Sequence, residues 1–239
     1  MTDGNSTFLT LLNSRRIVLI MSLPGNEPEL ASAAIDSGAD VLKVHINLEH
    51  RASGLKFGTL EEERSNLEKI LDLAGKSGVP VGIVPGAMSV IDAGQIQEVE
   101  AFGFDFVSAY AHHLSPAVLS GAVTSRVAKM IAADSTYSVE EIEAMARVEF
   151  DIVEASIIPP EGYGEPLSCR DLLSYQNIVG WTGKPVVVPT QRRISPEDVP
   201  ALVATGIRAI MLGAVVTGCT PENIATQVAV FRRSIDELF

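Results

Sequence analysis

Apolar and polar residues alternate in blocks along the chain, and a glycine marks most of the transitions. The runs Gly38-Ala-Asp-Val-Leu, Gly78-Val-Pro-Val-Gly-Ile-Val, Gly103-Phe-Asp-Phe-Val, Gly183-Lys-Pro-Val-Val-Val and Gly206-Ile-Arg-Ala-Ile-Met each pass from a helix-like segment through glycine into a β-run. Glycine suits a helix C-cap because it enters left-handed backbone space without a Cβ penalty. Three more apolar runs, at 17–22, 127–133 and 150–156, lack the glycine but have the length and composition of buried strands. Eight strands separated by helix-length segments predict α/β architecture: a single (β/α)8 barrel over residues 1–239, eight being the number that closes such a sheet.

The intervening segments carry their own start signals. Thr59 with Glu62 and Ser138 with Glu141 fit capping boxes. Ser195-Pro196-Glu197 and Thr220-Pro221-Glu222 place an N-cap, a proline at the first helical position and an acid in the first turn. Leu67, Ile70, Leu71 and Ala74 line one face of one helix, and Val228, Phe231 and Ile235 one face of the last. Residues 7–13 predict a short helix plugging the barrel floor. Two strand-to-helix connections are longer than usual, at 48–58 and 157–169. Both overhang the C-terminal face of a barrel, and the mixture of proline and glycine at 159–166 fits a lid.

Strand parity supplies the candidate chemistry. In Asp40-Val-Leu-Lys-Val-His-Ile-Asn47, Lys43, His45 and Asn47 share a face with Val41, while Leu42, Val44 and Ile46 form an apolar back. Lys43 could serve as base, electrophile or Schiff-base nucleophile, or be a structural lysine paired with a carboxylate. His45 could exchange protons near neutral pH, and Asn47 could orient a hydroxyl. Glu154 in the sixth strand and Lys129 in the fifth could pair across neighbouring strands, either as a catalytic acid/base set or as a compensated structural ion pair. His112-His113 ends the fourth strand, adjacency letting only one face the lumen, and His112 is the catalytic candidate. Asp134, at the end of the fifth strand, and Arg51, beside His50 on the second loop, are candidate substrate contacts.

Composition narrows the function classes. A net charge of −12 argues against non-specific nucleic-acid binding and against an anionic membrane surface, so an anionic ligand has to be met locally. Cys169 and Cys219 lie in no metal-ligand spacing and fit reduced thiols in a cytoplasmic protein. No G-x-G-x-x-G, Walker or G-x-S-x-G sequence is present. His45 and His112 with Asp134 or Glu154 could surround a divalent ion, but no local ligand spacing supports one, and no cofactor is expected.

The C-terminal quarter is the most distinctive part. It reads Val186-Val-Val-Pro-Thr-Gln-Arg-Arg-Ile-Ser-Pro-Glu-Asp, then a helix, then Gly206-Ile-Arg-Ala-Ile-Met-Leu-Gly-Ala-Val-Val-Thr-Gly. This segment resembles the phosphate-binding (ribulose-phosphate-binding) TIM-barrel superfamily, most of all N-acetylmannosamine-6-phosphate 2-epimerases, in which Arg-Ile-x-x-Pro-Glu precedes a helix and Val-Gly-x-Ala-Ile follows. The resemblance implies a TIM barrel that grips a phosphorylated, sugar-like substrate through the loops after strands seven and eight. Physical chemistry points the same way: Gly213 permits close backbone approach, amides of Ala214 and Val215 could open a short helix towards an anion, and Gln191, Arg192 and Arg193 could add donors.

The chain departs from those epimerases where their Ala-Glu-Gly-Arg tetrad carries a catalytic glutamate. Here the residues are Thr190-Gln191-Arg192-Arg193, and the family's early aspartate and threonine-arginine pattern is absent too. Proton transfer then falls to Lys43, His45, Glu154 and His112. The expectation is an isomerase, epimerase or carbon–carbon lyase/synthase acting on a phosphorylated small molecule. A Schiff-base aldolase and a non-catalytic phospho-metabolite-binding barrel are the rivals, and exposed helix faces leave room for a homodimer.

Overall fold

A computed structural model describes residues 6–14, 16–50, 53–86, 90–119 and 125–239. Eight parallel strands form the wall: β1 (Val18–Ser22), β2 (Val41–His45), β3 (Val81–Val84), β4 (Phe106–Tyr110), β5 (Ala128–Asp134), β6 (Ile152–Ser156), β7 (Val186–Pro189) and β8 (Ala209–Leu212). Each pairs with its sequence neighbours, and β8 closes on β1. The expected (β/α)8 barrel is therefore the observed fold. Gly78, Gly103 and Gly183 end their helices in the left-handed conformation, and the Thr59 and Ser138 capping boxes are both formed.

Two apolar layers hold the barrel. Outside the wall, alternate strand residues such as Leu42, Val44, Ile131 and Val153 pack against Leu67, Ile70, Tyr175, Val228 and Phe231 of the helices. Inside, Val18, Ile20, Val41, Phe106, Met130, Ile152, Val187 and Met211 fill the lower lumen. The helix Thr7–Leu12 seals that layer from below, burying Phe8 and Leu12 completely. Asp105 fixes this plug by accepting hydrogen bonds from Ser6 Oγ and the amides of Thr7 and Phe8.

Gly82 on β3 has a specific reason to be glycine: a Cβ there would fall inside the Phe106 ring. That ring occupies the lumen in place of a β3 side chain and meets Phe8 at 4.4 Å between centroids. Above Phe106 the inward positions of β1, β2, β4 and β6 become polar, while Val84, Ala132 and Pro189 keep the β3, β5 and β7 sides apolar.

The long connections are folded back on the barrel. After β2 the chain makes a hairpin from Leu48–Glu49 to Lys56–Phe57, and Glu63 anchors its base by accepting from Gly58 N and Asn26 Nδ2. The connection after β6 is stitched to the one after β7, Gly164 N donating to Gln191 O and Arg193 N to Glu165 O. The expected lid at 159–166 is thus pinned by backbone hydrogen bonds.

Candidate functional site

Above the apolar layer, β1 contributes Ser22, β2 Lys43 and His45, β4 Ser108, β5 Asp134, and β6 Glu154 and Ser156 to the wall of a cavity of about 610 Å³ at the C-terminal ends of the strands. Strands β2 and β6 face each other across the barrel, four places apart around the wall. Lys43 and Glu154 therefore meet through the lumen, Nζ to Oε2 at 3.1 Å. Both are nearly inaccessible, at 5% and 6% exposure.

The carboxylate is fully engaged. Ser108 Oγ donates to Oε2 at 2.7 Å and Ser156 Oγ to Oε1 at 2.8 Å. Burial by itself would push the Glu154 carboxyl up; the Lys43 charge and the hydrogen bonds from Ser108, Ser156 and Lys43 outweigh it, and the net effect holds the group below the usual carboxylate range. Glu154 is thus ionised at neutral pH. Burying such a pair costs desolvation that its mutual attraction only partly repays, so its place on an open cavity needs more than a stability argument.

His45 sits beside this pair. Its backbone is clamped by Asn26, which donates to His45 O at 2.7 Å and accepts from His45 N. Its ring lies 3.5 Å from Ser22 Oγ through Nε2, while Nδ1 is buried with no partner among the described residues. The hairpin lays His50 and Phe57 on the same ring, at 4.7 and 5.1 Å between centroids. Burial first, then His50 and Lys43, pushes His45 well below an ordinary histidine; burial and Lys43 bring His50 down to about 4. Both imidazoles are neutral at pH 7.

The other candidates are dispersed. His112 lies on the rim, half-exposed, with Nδ1 3.8 Å from Asp134 Oδ2. Adjacency does not divide the pair as expected: both His112 and His113 line the cavity, because they sit on a 3-10 turn after β4 rather than in the strand. Asp134 in turn accepts from Thr136 N and Oγ1, forming the turn after β5. Asn47 does not continue the inward face: it takes φ 53°, turns the chain, and donates to Pro85 O. Arg51 lies outside the described residues. Lys129 does not pair with Glu154; the register places Ala132 opposite Glu154, and Lys129 lies between the lumen residues Ala128 and Met130, facing outward near the floor with Arg147 and Lys184.

The seventh and eighth loops divide similarly. Arg192 is tied to Asp171 Oδ1 at 3.1 Å and to Gly162 O, and Arg193 is exposed; neither lines the cavity. Gln191 lines it, but its side chain is spent on Ile158 N, Ser156 O and Tyr163 Oη. Gly213, Ala214 and Val215 do line it, the Gly213 amide donating to Thr190 Oγ1 at 2.9 Å. A short helix, Ala214–Thr217, opens there; the Val216 and Thr217 amides donate back to Gly213 O, and those of Ala214 and Val215 have no partner among the described residues. Only β1 separates β8 from β2, so these amides stand on the Lys43 side of the lumen.

Among the described residues no group of three or more His, Cys, Asp or Glu side chains is arranged to hold a metal ion. Nor is any helix among them long and apolar enough to cross a membrane.

Solved structures carry the same architecture. A thiamine phosphate pyrophosphorylase from Pyrococcus furiosus matches with a TM-score of 0.66 at 15% identity, covering 98% of this chain and 100% of its own. A Mycobacterium tuberculosis tryptophan synthase structure gives 0.70 at 12%, covering 97% and 98%, and a native KDPGal structure 0.65 at 17%, covering 94% and 97%. The likeness is one of fold. No family model matches the sequence, and comparison with curated proteins gives no match.

Sequence reasoning missed Ser22, Ser108 and Ser156. Strand alternation held the signal, since Ser108 follows the inward Phe106 by two residues and Ser156 follows Glu154 by two. His50 was visible only as a loop residue, because its approach to His45 depends on the hairpin.

Proposed function

We propose that this chain is an enzyme that acts on a phosphorylated small molecule bearing a carbonyl group, as an isomerase, epimerase or carbon–carbon lyase/synthase. The observation that carries the reading is the Lys43–Glu154 pair, almost wholly buried yet lining an open cavity. In this mechanism Lys43 turns from Glu154 to the substrate carbonyl and stabilises the enolate oxygen that forms. Its departure removes the charge that weakens Glu154 as a base, and the carboxylate then exchanges a proton with the adjacent carbon. Neutral His45 donates a further hydrogen bond to the developing oxyanion.

Phosphate is held by the amides of Ala214 and Val215, with the positive end of a helix turn behind them. Gly213 supports this placement. Its backbone is extended, at φ −142°, and a Cβ would make only an ordinary contact with Thr190, so neither conformation nor packing demands glycine there. Arg192 has a structural role in this scheme, joining the β6 and β7 connections. That a thiamine phosphate pyrophosphorylase shares this fold is in keeping with phosphate chemistry on it.

The test is binding of inorganic phosphate and glycerol 3-phosphate by calorimetry. Both should bind the unmodified protein, and Ala214→Glu should weaken them at least tenfold, about 1.4 kcal/mol, by adding a negative charge beside the amides. Unchanged affinity in that variant would remove the phosphate site from this loop.

A further inference from the structure

A second depression, of about 530 Å³, opens at the other end of the barrel, lined by Lys129, Arg147, Glu149, Phe150, Asp151 and Lys184. Five residues of β5, about 16 Å of strand, separate Lys129 from Asp134 on the wall of the upper cavity. The volume is that of a small-molecule site.

Three cations meet there from three parts of the chain. Lys129 comes from the start of β5, Arg147 from the 3-10 turn Met145–Arg147, and Lys184 from just before β7. Acids outnumber bases 30 to 18 in this chain, yet none of the three is in an ion pair among the described residues. The local carboxylates do not neutralise them. Asp151 Oδ2 accepts from the Lys129 amide at 2.8 Å while Asp151 N donates to Lys129 O, which ties the start of β5 to that of β6, and Glu149 is exposed.

Lys184 is positioned in advance. Its Nζ donates to Phe150 O at 2.8 Å and lies 4.4 Å from the centre of the Phe150 ring. An ammonium has three protons, so two remain for a ligand. Lys129 is half-buried, and its side chain bonds nothing among the described residues. A half-buried cation without a partner is costly, and like charges gathered at one place add to the cost; an anion from solution offsets both.

Cations arriving from three directions suit the diverging oxygens of a phosphoryl group better than the two coplanar oxygens of a carboxylate. Glu149 and Asp151 oppose the field, so a single negative charge gains little and a multiply charged ligand is favoured. A nucleic acid is repelled by the net charge of −12.

We infer that this depression is a second ligand site, built for a small molecule carrying a diphosphate group, and that Lys129, Arg147 and Lys184 hold it. The site stands apart from the Lys43–Glu154 cavity, whatever that cavity binds.

Inorganic diphosphate is the probe, followed through backbone amides in ¹H–¹⁵N NMR, which reads the two ends of the barrel separately. Titration should move the Lys129, Arg147 and Asp151 amides along one saturating curve. Arg147→Glu should raise the half-saturation concentration about tenfold or more, and Lys129→Gln about threefold or more, each removing one charged donor. Ala214→Glu should leave it unchanged. Arg147 is exposed and unpaired, so Arg147→Glu should keep the urea midpoint of the unmodified protein. Shifts confined to the Gly213, Ala214 and Val215 amides would uphold the upper phosphate site and overturn this one. Non-saturating shifts, the same shifts with chloride at equal ionic strength, or an unchanged curve in both Arg147→Glu and Lys129→Gln would overturn it too. Malonate saturating the same amides at equal or lower concentration would overturn the assignment to a phosphate ligand.

Discussion

His45 is buried and His50 half-buried near a lysine, and both resist protonation for that reason. Unfolding exposes them to water, where they titrate near 6.5. Between that value and the lower folded ones the unfolded chain binds more protons, so stability rises with pH in this window and is complete above it. The Glu154 contribution has the same sign at lower pH, being present above the ordinary carboxylate range and lost as acid protonates the buried group. Urea midpoints should therefore be flat from pH 7 to 8.5 and fall below pH 6.5. Each histidine contributes a slope of up to about 1.4 kcal/mol per pH unit. His50→Gln should shallow that slope between pH 6.5 and 4, and an identical slope in the variant would show that His50 is not the group concerned.

At the scale of elements, the strands do two jobs along their length: apolar positions build the lower lumen and polar positions the cavity above it. Gly82 and Phe106 show how tightly the first job is specified. Gly82→Ala should cost about 1–3 kcal/mol by overpacking, and Phe106→Leu in the same chain should recover part of the loss, both read from urea melts. If Gly82→Ala alone is neutral, the ring does not fill that space. The order of the strands was legible in the sequence because glycine caps, capping boxes and apolar runs repeat in step with the fold. Lys43 and Glu154 were legible as inward residues by parity within their own strands. Lys129 was misplaced although alternation held the signal: it lies five residues from Asp134 in one strand, so the two face opposite sides, and Asp134 takes the lumen side. Asn47 escaped because the inward face ends where the backbone turns left-handed after His45. Arg192 was read as an anion ligand since its partner, Asp171, lies 21 residues away and reaches it only in the fold.

Over the whole molecule, a floor sealed by Phe8 and Leu12 leaves the cavity open at one end, with the Lys43–Glu154 pair at its base and the Ala214 and Val215 amides on its wall. The arrangement brings any carbonyl that reaches the base to a lysine and a carboxylate at once. Chemistry at that pair is the central claim, and proton exchange tests it most directly. Dihydroxyacetone phosphate and related phosphorylated ketones are incubated with the protein in D₂O, and the hydrogens beside the carbonyl are followed by proton NMR. Catalysed loss of those signals is expected with the unmodified protein, and at least a hundredfold slower loss with Lys43→Met and with Glu154→Gln. Exchange at an unchanged rate in both variants, or no exchange of compounds that demonstrably bind, would contradict it.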